Sequence, residues 1–215
     1  MADIQSAASH APVAHDHAAL IAACAPGVAL CTIVGIEGSF SRRLGAQLAV
    51  LPDGSVIGSL SDGCLERQLA TDVRDASGPV TRRYGQGGDA IDFRLPCGGG
   101  LDILIDPAPD REACRLAVAA LRDRRPATVT LADNPLLAQR PYIPALQLLA
   151  FGEGPELDAL ATIAQASGIA IETADKDALS LGTAPDRPPP DLWSAVLLLF
   201  HDHEWERALL HWALE

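Results

Sequence analysis

Two of the five cysteines stand where a thiol could meet a ligand instead of a core. Cys64 follows Gly58-Ser59-Leu60-Ser61-Asp62-Gly63, which reads as a strand, a tight Asp-Gly turn and the start of a helix. A helix start offers unpaired N–H donors and favours negative charge, so Cys64 is a candidate thiolate, with a small buried core residue as the equal alternative. Cys97 sits in Leu95-Pro96-Cys97-Gly98-Gly99-Gly100, at the mouth of a loop whose glycines let the backbone approach a ligand. The same glycines would also serve a tight hairpin. Thiolate is a soft ligand, and two loop cysteines without a second pair do not close a structural zinc site. Cys24, Cys31 and Cys114 fall on apolar faces and read as core.

Anion chemistry is offered by Ile36-Glu37-Gly38-Ser39-Phe40-Ser41-Arg42-Arg43-Leu44-Gly45. Here a small-residue turn leaves a strand with two guanidinium groups behind free N–H groups, although an ordinary loop with solvated arginines has the same composition. Further on, Gly152-Glu153-Gly154-Pro155-Glu156-Leu157 stands between a strand and a helix, with Asp175 closing the next strand. That is the position of a dinucleotide turn. Leu157 replaces its third glycine, however, and Glu153 and Glu156 put carboxylates where a pyrophosphate needs positive charge. His201 and His203, with His211 in the following helix, are candidate metal ligands. A strand end that caps a helix explains the first two more simply.

These residues need elements to hold them. Residues 1–15 show no periodicity and read as a flexible arm, and Asp16 reads as the N-cap of a short helix ended by Pro26-Gly27. Val28–Glu37, Gln47–Leu51 and Ser55–Leu60 alternate as strands, the last two joined by a hairpin turn at Pro52-Asp53-Gly54-Ser55. Leu65, Leu69 and Val73 line one face of the helix that carries Cys64. Val80–Tyr84, Ala90–Leu95 and Leu101–Asp106 are further strands, and Arg111–Arg122 an amphipathic helix, which makes residues 16–125 an α+β domain. Four prolines mark 126–144 as a connection with one short strand at Ala127–Leu131. Residues 145–215 then read strand, helix, strand, Pro-rich crossover, strand, helix. The expected class is α/β, an α+β domain followed by a short, truncated Rossmann-like βαβ half-domain. Its exposed sheet edge is expected to be covered in a homodimer or by a partner.

The chain has 215 residues, 48% hydrophobic and 20% charged, as expected of a folded globular protein. Its formal charge of -12 repels phosphate backbones, and 4% aromatic residues supply few stacking platforms, so nucleic acid is an unsuitable partner. The odd number of cysteines, without C-x-x-C spacing, reads as reduced thiols. No secretory signal precedes the first helix, and the longest clean apolar runs, such as Ala195 to Phe200, are too short for a membrane span. A cytoplasmic protein is expected.

Taken in order, the loops resemble the XdhC/CoxI family of maturation chaperones for molybdenum hydroxylases such as xanthine dehydrogenase. The family's E-G-S-S-P-R-x-x-G-A run is matched by Glu37-Gly38-Ser39-Phe40-Ser41-Arg42-Arg43-Leu44-Gly45-Ala46, with Ser41 for the usual proline. Its S-G-G-C-V-E run is matched by Ser61-Asp62-Gly63-Cys64-Leu65-Glu66, and its C-G-G run by Cys97-Gly98-Gly99. Phe200-His201-Asp202-His203 corresponds to a T-H-D-H run in its Rossmann-like domain. The resemblance implies a maturation factor more than an enzyme. It would bind molybdenum cofactor (molybdopterin), protect it during sulfuration, and deliver it to a hydroxylase apo-enzyme, with a cysteine desulfurase as a second partner. On that reading Arg42, Arg43 and the N–H groups of Gly38 and Ser39 hold the phosphate, and Cys97, or Cys64 as second choice, meets the molybdenum. Gly63, Glu66, Gly98 and Gly99 complete the binding set. An NAD(P)-dependent oxidoreductase or a divalent-metal hydrolase built on residues 145–215 stays open as the alternative.

Overall fold

The computed structural model describes residues 15–61, 63–88 and 98–214. The expected arm up to Ala14, the expected strand Ala90–Leu95, Asp62 and Cys97 lie outside the described residues. The described chain has the mixed α/β class expected, in two compact units, His15–Ile143 and the part from Pro144 onward.

The first unit is built on an antiparallel sheet in the order β3-β2-β1-β5-β4, comprising β1 (Ala29–Glu37), β2 (Gln47–Val50), β3 (Val56–Gly58), β4 (Val80–Gly85) and β5 (Gly100–Asp106). Its central strand reads as a continuous apolar run because both faces are covered. Cys31, Ile33, Leu48, Ile103 and Ile105 pack under Leu65 and Leu69 of α2 (Cys64–Asp75). On the opposite face Leu30 and Ala49 meet Leu20 of α1 (His15–Ala23) and Cys114, Val118 and Leu121 of α3 (Arg111–Arg122). Helix α3 begins where expected, because the Asp110 carboxylate accepts from the N–H groups of Glu112 and Ala113, both at 3.0 Å. Helix α1 starts one residue before the aspartate expected to cap it. In β1 the register shifts between Ile33 and Gly35, and a Cβ on Gly35 would come within 2.4 Å of the Asp102 carboxylate. Only glycine fits this bulge.

The stretch expected to be a Pro-rich connection folds into a hairpin, β6 (Ala127–Thr130) with β7 (Gln139–Tyr142). β6 falls within the strand expected there, but β7 was hidden by Pro141. In a two-stranded ribbon every strand is an edge, where a missing N–H is tolerated. The hairpin is anchored by Tyr142, which is buried and donates to Gln47 Oε1 at 2.5 Å, while Gln47 donates to Thr32 Oγ1 at 3.0 Å.

The second unit holds a parallel sheet in the order β10-β8-β9, made of β8 (Gln147–Gly152), β9 (Ala170–Ala174) and β10 (Ser194–Leu199). Helix α4 (Pro155–Ala166) joins β8 to β9, with proline at its first turn. Leu209 and Trp212 of α5 (His203–Ala213) pack on Leu149 and Phe151. A Cβ on Gly152 would lie 2.6 Å from the Leu199 Cβ, so glycine permits the close approach of β8 and β10. The Pro-rich crossover is tied down by Arg187, whose carbonyl accepts from Trp212 Nε1 at 3.1 Å and whose guanidinium pairs with Glu172 at 2.6 Å. No described helix is long and apolar enough to cross a membrane.

Candidate functional site

The antiparallel register decides where the sequence motifs meet. Glu37 at the end of β1 pairs with Gly100 at the start of β5, and Gly85 at the end of β4 pairs with the same Gly100. Antiparallel pairing sets the start of β2, where Gln47 pairs with Thr32, toward the side on which β1 ends, and Gly58 at the end of β3 pairs with Leu48 beside it. The β1–β2 loop, the segment from β3 to α2 and both described ends of the β4–β5 connection therefore leave the same end of the sheet. Three motifs far apart in the chain share one rim.

Specific contacts join them. Arg42 donates to Ser59 Oγ at 3.2 Å, linking the first loop to the second. Gly38, at φ 82°, lies so close to the third loop that a Cβ there would stand 3.5 Å from Gly99 Cα. Arg83 clamps the bases of the strands: it pairs with Glu37, bonds Asp102 at 2.8 Å and donates to the Gln86 carbonyl at 3.0 Å. Arg140 of β7 donates to the Gly45 carbonyl at 2.6 Å and so holds the first loop from 95 residues away. Neither clamp was visible in the motifs, because each arginine serves a loop distant in sequence.

Glu66 is the organiser of the second loop. Its buried carboxylate accepts from the N–H groups of Leu60 at 2.9 Å, Ser61 at 2.6 Å and Gly63 at 2.8 Å. Burial opposes its charge, but the N–H groups of Ser61, Glu66 itself, Leu60 and Gly63 outweigh burial and hold the pKa below the ordinary value. Expected from its motif to bind cofactor directly, Glu66 instead turns inward and shapes the loop. Gly63 is the N-cap residue at φ 94°, a left-handed conformation that favours glycine.

That arrangement leaves Cys64 exposed in the first turn of α2, with Arg67 Nη2 at 3.2 Å from its Sγ. Arg67 was not singled out from sequence, although its spacing of three along a helix carries the signal. Cys31 and Cys114 are buried as expected, and burial pushes their thiols up to about 12 and about 11. Cys24 is partly buried, with its Sγ 3.5 Å from the Leu20 carbonyl. Gly38, Ser39, Arg42, Arg43 and Gly98 are exposed at the rim, whereas Gly99 is buried. Between α2 and β3 runs an open cleft of about 560 Å³, reaching from Gly63 and Arg67 to Gly54 and Arg74.

In the second unit the strand ends gather a different set. Glu153 pairs with Lys176 at 2.8 Å, and Lys176 Nζ lies 5.6 Å from the Trp205 ring centroid. Leu157 is buried at the position of the third glycine. Asp202 caps α5, accepting from Glu204 N–H at 3.0 Å, and His203 turns to Glu206 at 3.2 Å. Among the described residues no three of His, Cys, Asp and Glu converge as metal ligands.

Comparison with known proteins follows the same lines. A model of the XdhC and CoxI family matches residues 24–85, from the end of α1 to the end of β4. A molybdenum cofactor insertion chaperone, PaoD of Escherichia coli strain K12, is 29% identical over 208 residues, covering 88% of this chain and 64% of that protein. The chain thus spans less than two thirds of that relative's length. A crystal structure of a xanthine dehydrogenase from Bacillus halodurans superposes with a TM-score of 0.69 at 19% identity, covering 90% of this chain and 76% of the other, which establishes a shared fold. Residues 24–85, which carry the first two of the three loops, are thus the stretch over which this chain is similar to the XdhC and CoxI family.

Proposed function

We propose that the protein binds molybdenum cofactor, shields it during sulfuration, and delivers it to a molybdenum hydroxylase apo-enzyme of the xanthine dehydrogenase or carbon monoxide dehydrogenase type. The observation that carries this reading is the rim itself. An exposed thiol, Cys64, stands there with Arg67 beside it, and Arg42 reaches Ser59 of the same loop. The cargo has a phosphate and a molybdenum dithiolene, and this donor set suits both: guanidinium groups for the phosphate, a soft thiol for the metal. Arg42 and Arg43, with the N–H groups of Gly38 and Ser39, take the phosphate, and Cys64 takes the metal end. Cys97, Gly98 and Gly99 enter from the third loop, Cys97 on its motif alone. Glu66 and Gly63 act by positioning Cys64. The name of the Escherichia coli relative supports the same role. A cysteine desulfurase and a second copy of the chain are the further partners of this reading, and its setting is the cytoplasm. In the second unit, NAD(P) would have to displace Glu153 from Lys176, which disfavours that alternative.

The test is anaerobic mixing with molybdenum cofactor, gel filtration, and quantification of molybdenum and pterin in the protein fraction. Near one equivalent is expected to be retained. Cys64→Ala and Arg42→Ala should each weaken retention about tenfold, the equivalent of about 1.4 kcal/mol. No retention by the wild type, or wild-type retention by both variants, refutes the proposal.

A further inference from the structure

The cleft between β3 and α2 extends well beyond Cys64, and its far half serves nothing assigned so far. Its floor is the edge of the sheet, since among the described residues β3 pairs only with β2. Leu51 donates to the Ser55 carbonyl at 2.9 Å, which makes them a hydrogen-bonded pair. Along the register Val50–Val56 is then a non-hydrogen-bonded pair and Ala49–Ile57 a hydrogen-bonded one. Because each peptide group is planar and trans, the N–H and C=O of Val56 and the N–H of Gly58 point away from β2, out of the sheet. Among the described residues nothing pairs with them.

The wall of the cleft is cationic. Arg67 and Arg74 are two turns apart on α2, about 10 Å along the axis, and both line the cleft. Neither is in an ion pair among the described residues, in a chain whose formal charge is -12. Unpaired arginines facing an open strand edge complement an extended backbone that carries carboxylates. Same-face side chains of a strand repeat about every 6.6 Å, within the reach of both arginines.

We propose that this groove docks an extended acidic segment of a partner protein, which adds as a strand to the free edge of β3 and places its carboxylates on Arg67 and Arg74. Main-chain pairing supplies the affinity, and the arginines select the charge. The groove shares Arg67 with the rim of the cofactor reading, whereas Arg74 and Val56, on which the test rests, lie outside that rim.

The test uses fluorescence anisotropy with a labelled peptide of alternating glutamate and valine at low ionic strength. Saturable binding that weakens with salt is expected, together with slowed hydrogen exchange at the Val56 and Gly58 amides. Arg74→Glu should weaken it at least about tenfold by reversing the charge. Val56→Pro should do the same by removing the outward N–H, with little effect on folding, because proline is tolerated on an edge whose N–H has no partner. Both variants should keep the wild-type melting curve and cofactor retention, and a lysine-for-glutamate peptide should not bind. Wild-type peptide affinity in Val56→Pro overturns the proposal. So does displacement of the peptide by pyrophosphate that binds wild type and Val56→Pro equally, which would make the groove a small-polyanion site.

Discussion

Replacing Glu66 by glutamine tests the local architecture most sharply, because it changes one oxygen in a carboxylate that three backbone N–H groups share. Leu60 and Ser61 both donate to Oε1, and Gly63 donates to Oε2 at 2.8 Å. In Glu66→Gln the remaining carbonyl oxygen can keep Leu60 and Ser61, but the NH2 group then faces the Gly63 N–H, donor against donor. One charge-assisted bond is lost, about 1.5–3 kcal/mol, and two others fall to neutral strength, about 1 kcal/mol each, so the cost is about 3–5 kcal/mol. For a unit of this size roughly 4 °C accompanies each kcal/mol, which predicts a fall of about 12–20 °C in the melting transition of the first unit at pH 7. The pH dependence adds an independent check. Glu66 has a folded-state pKa below its ordinary value of 4.5, because the N–H groups outweigh burial. Its stabilisation is therefore complete above the unfolded-state value and is lost as pH falls through the folded-state value. The wild type loses this contribution on acidification and Glu66→Gln has nothing to lose, so the gap between their melting temperatures narrows below about pH 4.5. Calorimetry of both proteins between pH 7 and pH 3 makes the measurement. A shift of under about 2 °C at neutral pH, or a gap that does not change with pH, would refute the assignment of Glu66 as the loop's organiser.

Other parts of the structure can be checked as directly. Gly152→Ala would bring a Cβ within 2.9 Å of the Leu199 backbone, which cannot yield as a side chain does, so the second unit should lose about 2–4 kcal/mol. All three tryptophans, Trp193, Trp205 and Trp212, belong to that unit, so their fluorescence in a denaturant titration reads its stability alone, and an unchanged midpoint contradicts the packing. With an aromatic disulfide reagent at pH 8, Cys64 should react at once, whereas Cys31 and Cys114, buried and titrating near 12 and 11, should react only on unfolding. Peptide mapping of the labelled native protein decides it. Arg140→Ala removes the bond to the Gly45 carbonyl and should cost about 1–2 kcal/mol while raising amide exchange across residues 38–46. Unchanged exchange in that loop would show that β7 does not support it.

Much of the secondary structure could be read in advance because it rests on local signals. Helix α3 was bounded correctly by its apolar spacing, and the strand–helix alternation of the second unit by Pro155, Gly168 and short apolar runs. The hairpin partner β7 was missed because its anchor is tertiary. Tyr142 is buried by helices from the start and middle of the chain, and it bonds a glutamine 95 residues earlier. Glu66 shows the same divide within the site. Its motif named it as part of the binding set, yet whether its carboxylate faces a ligand or the loop depends on where β3 ends and α2 begins in space.

By itself the sequence determined the types of chemistry available: which thiols stand outside apolar faces, which turns carry guanidinium groups, and where Glu153 and Leu157 depart from a dinucleotide turn. Only the tertiary structure decided that these groups belong to one place. Antiparallel pairing brings the ends of β1, β3 and β4 and the starts of β2 and β5 to a single rim, so loops separated by tens of residues become neighbours. The physical reason is the range of the forces involved. Caps, turns and periodicity act over a few residues and are written locally, whereas strand register is set by burying both faces of a sheet at once. That condition is met only when helices from distant parts of the chain close over it.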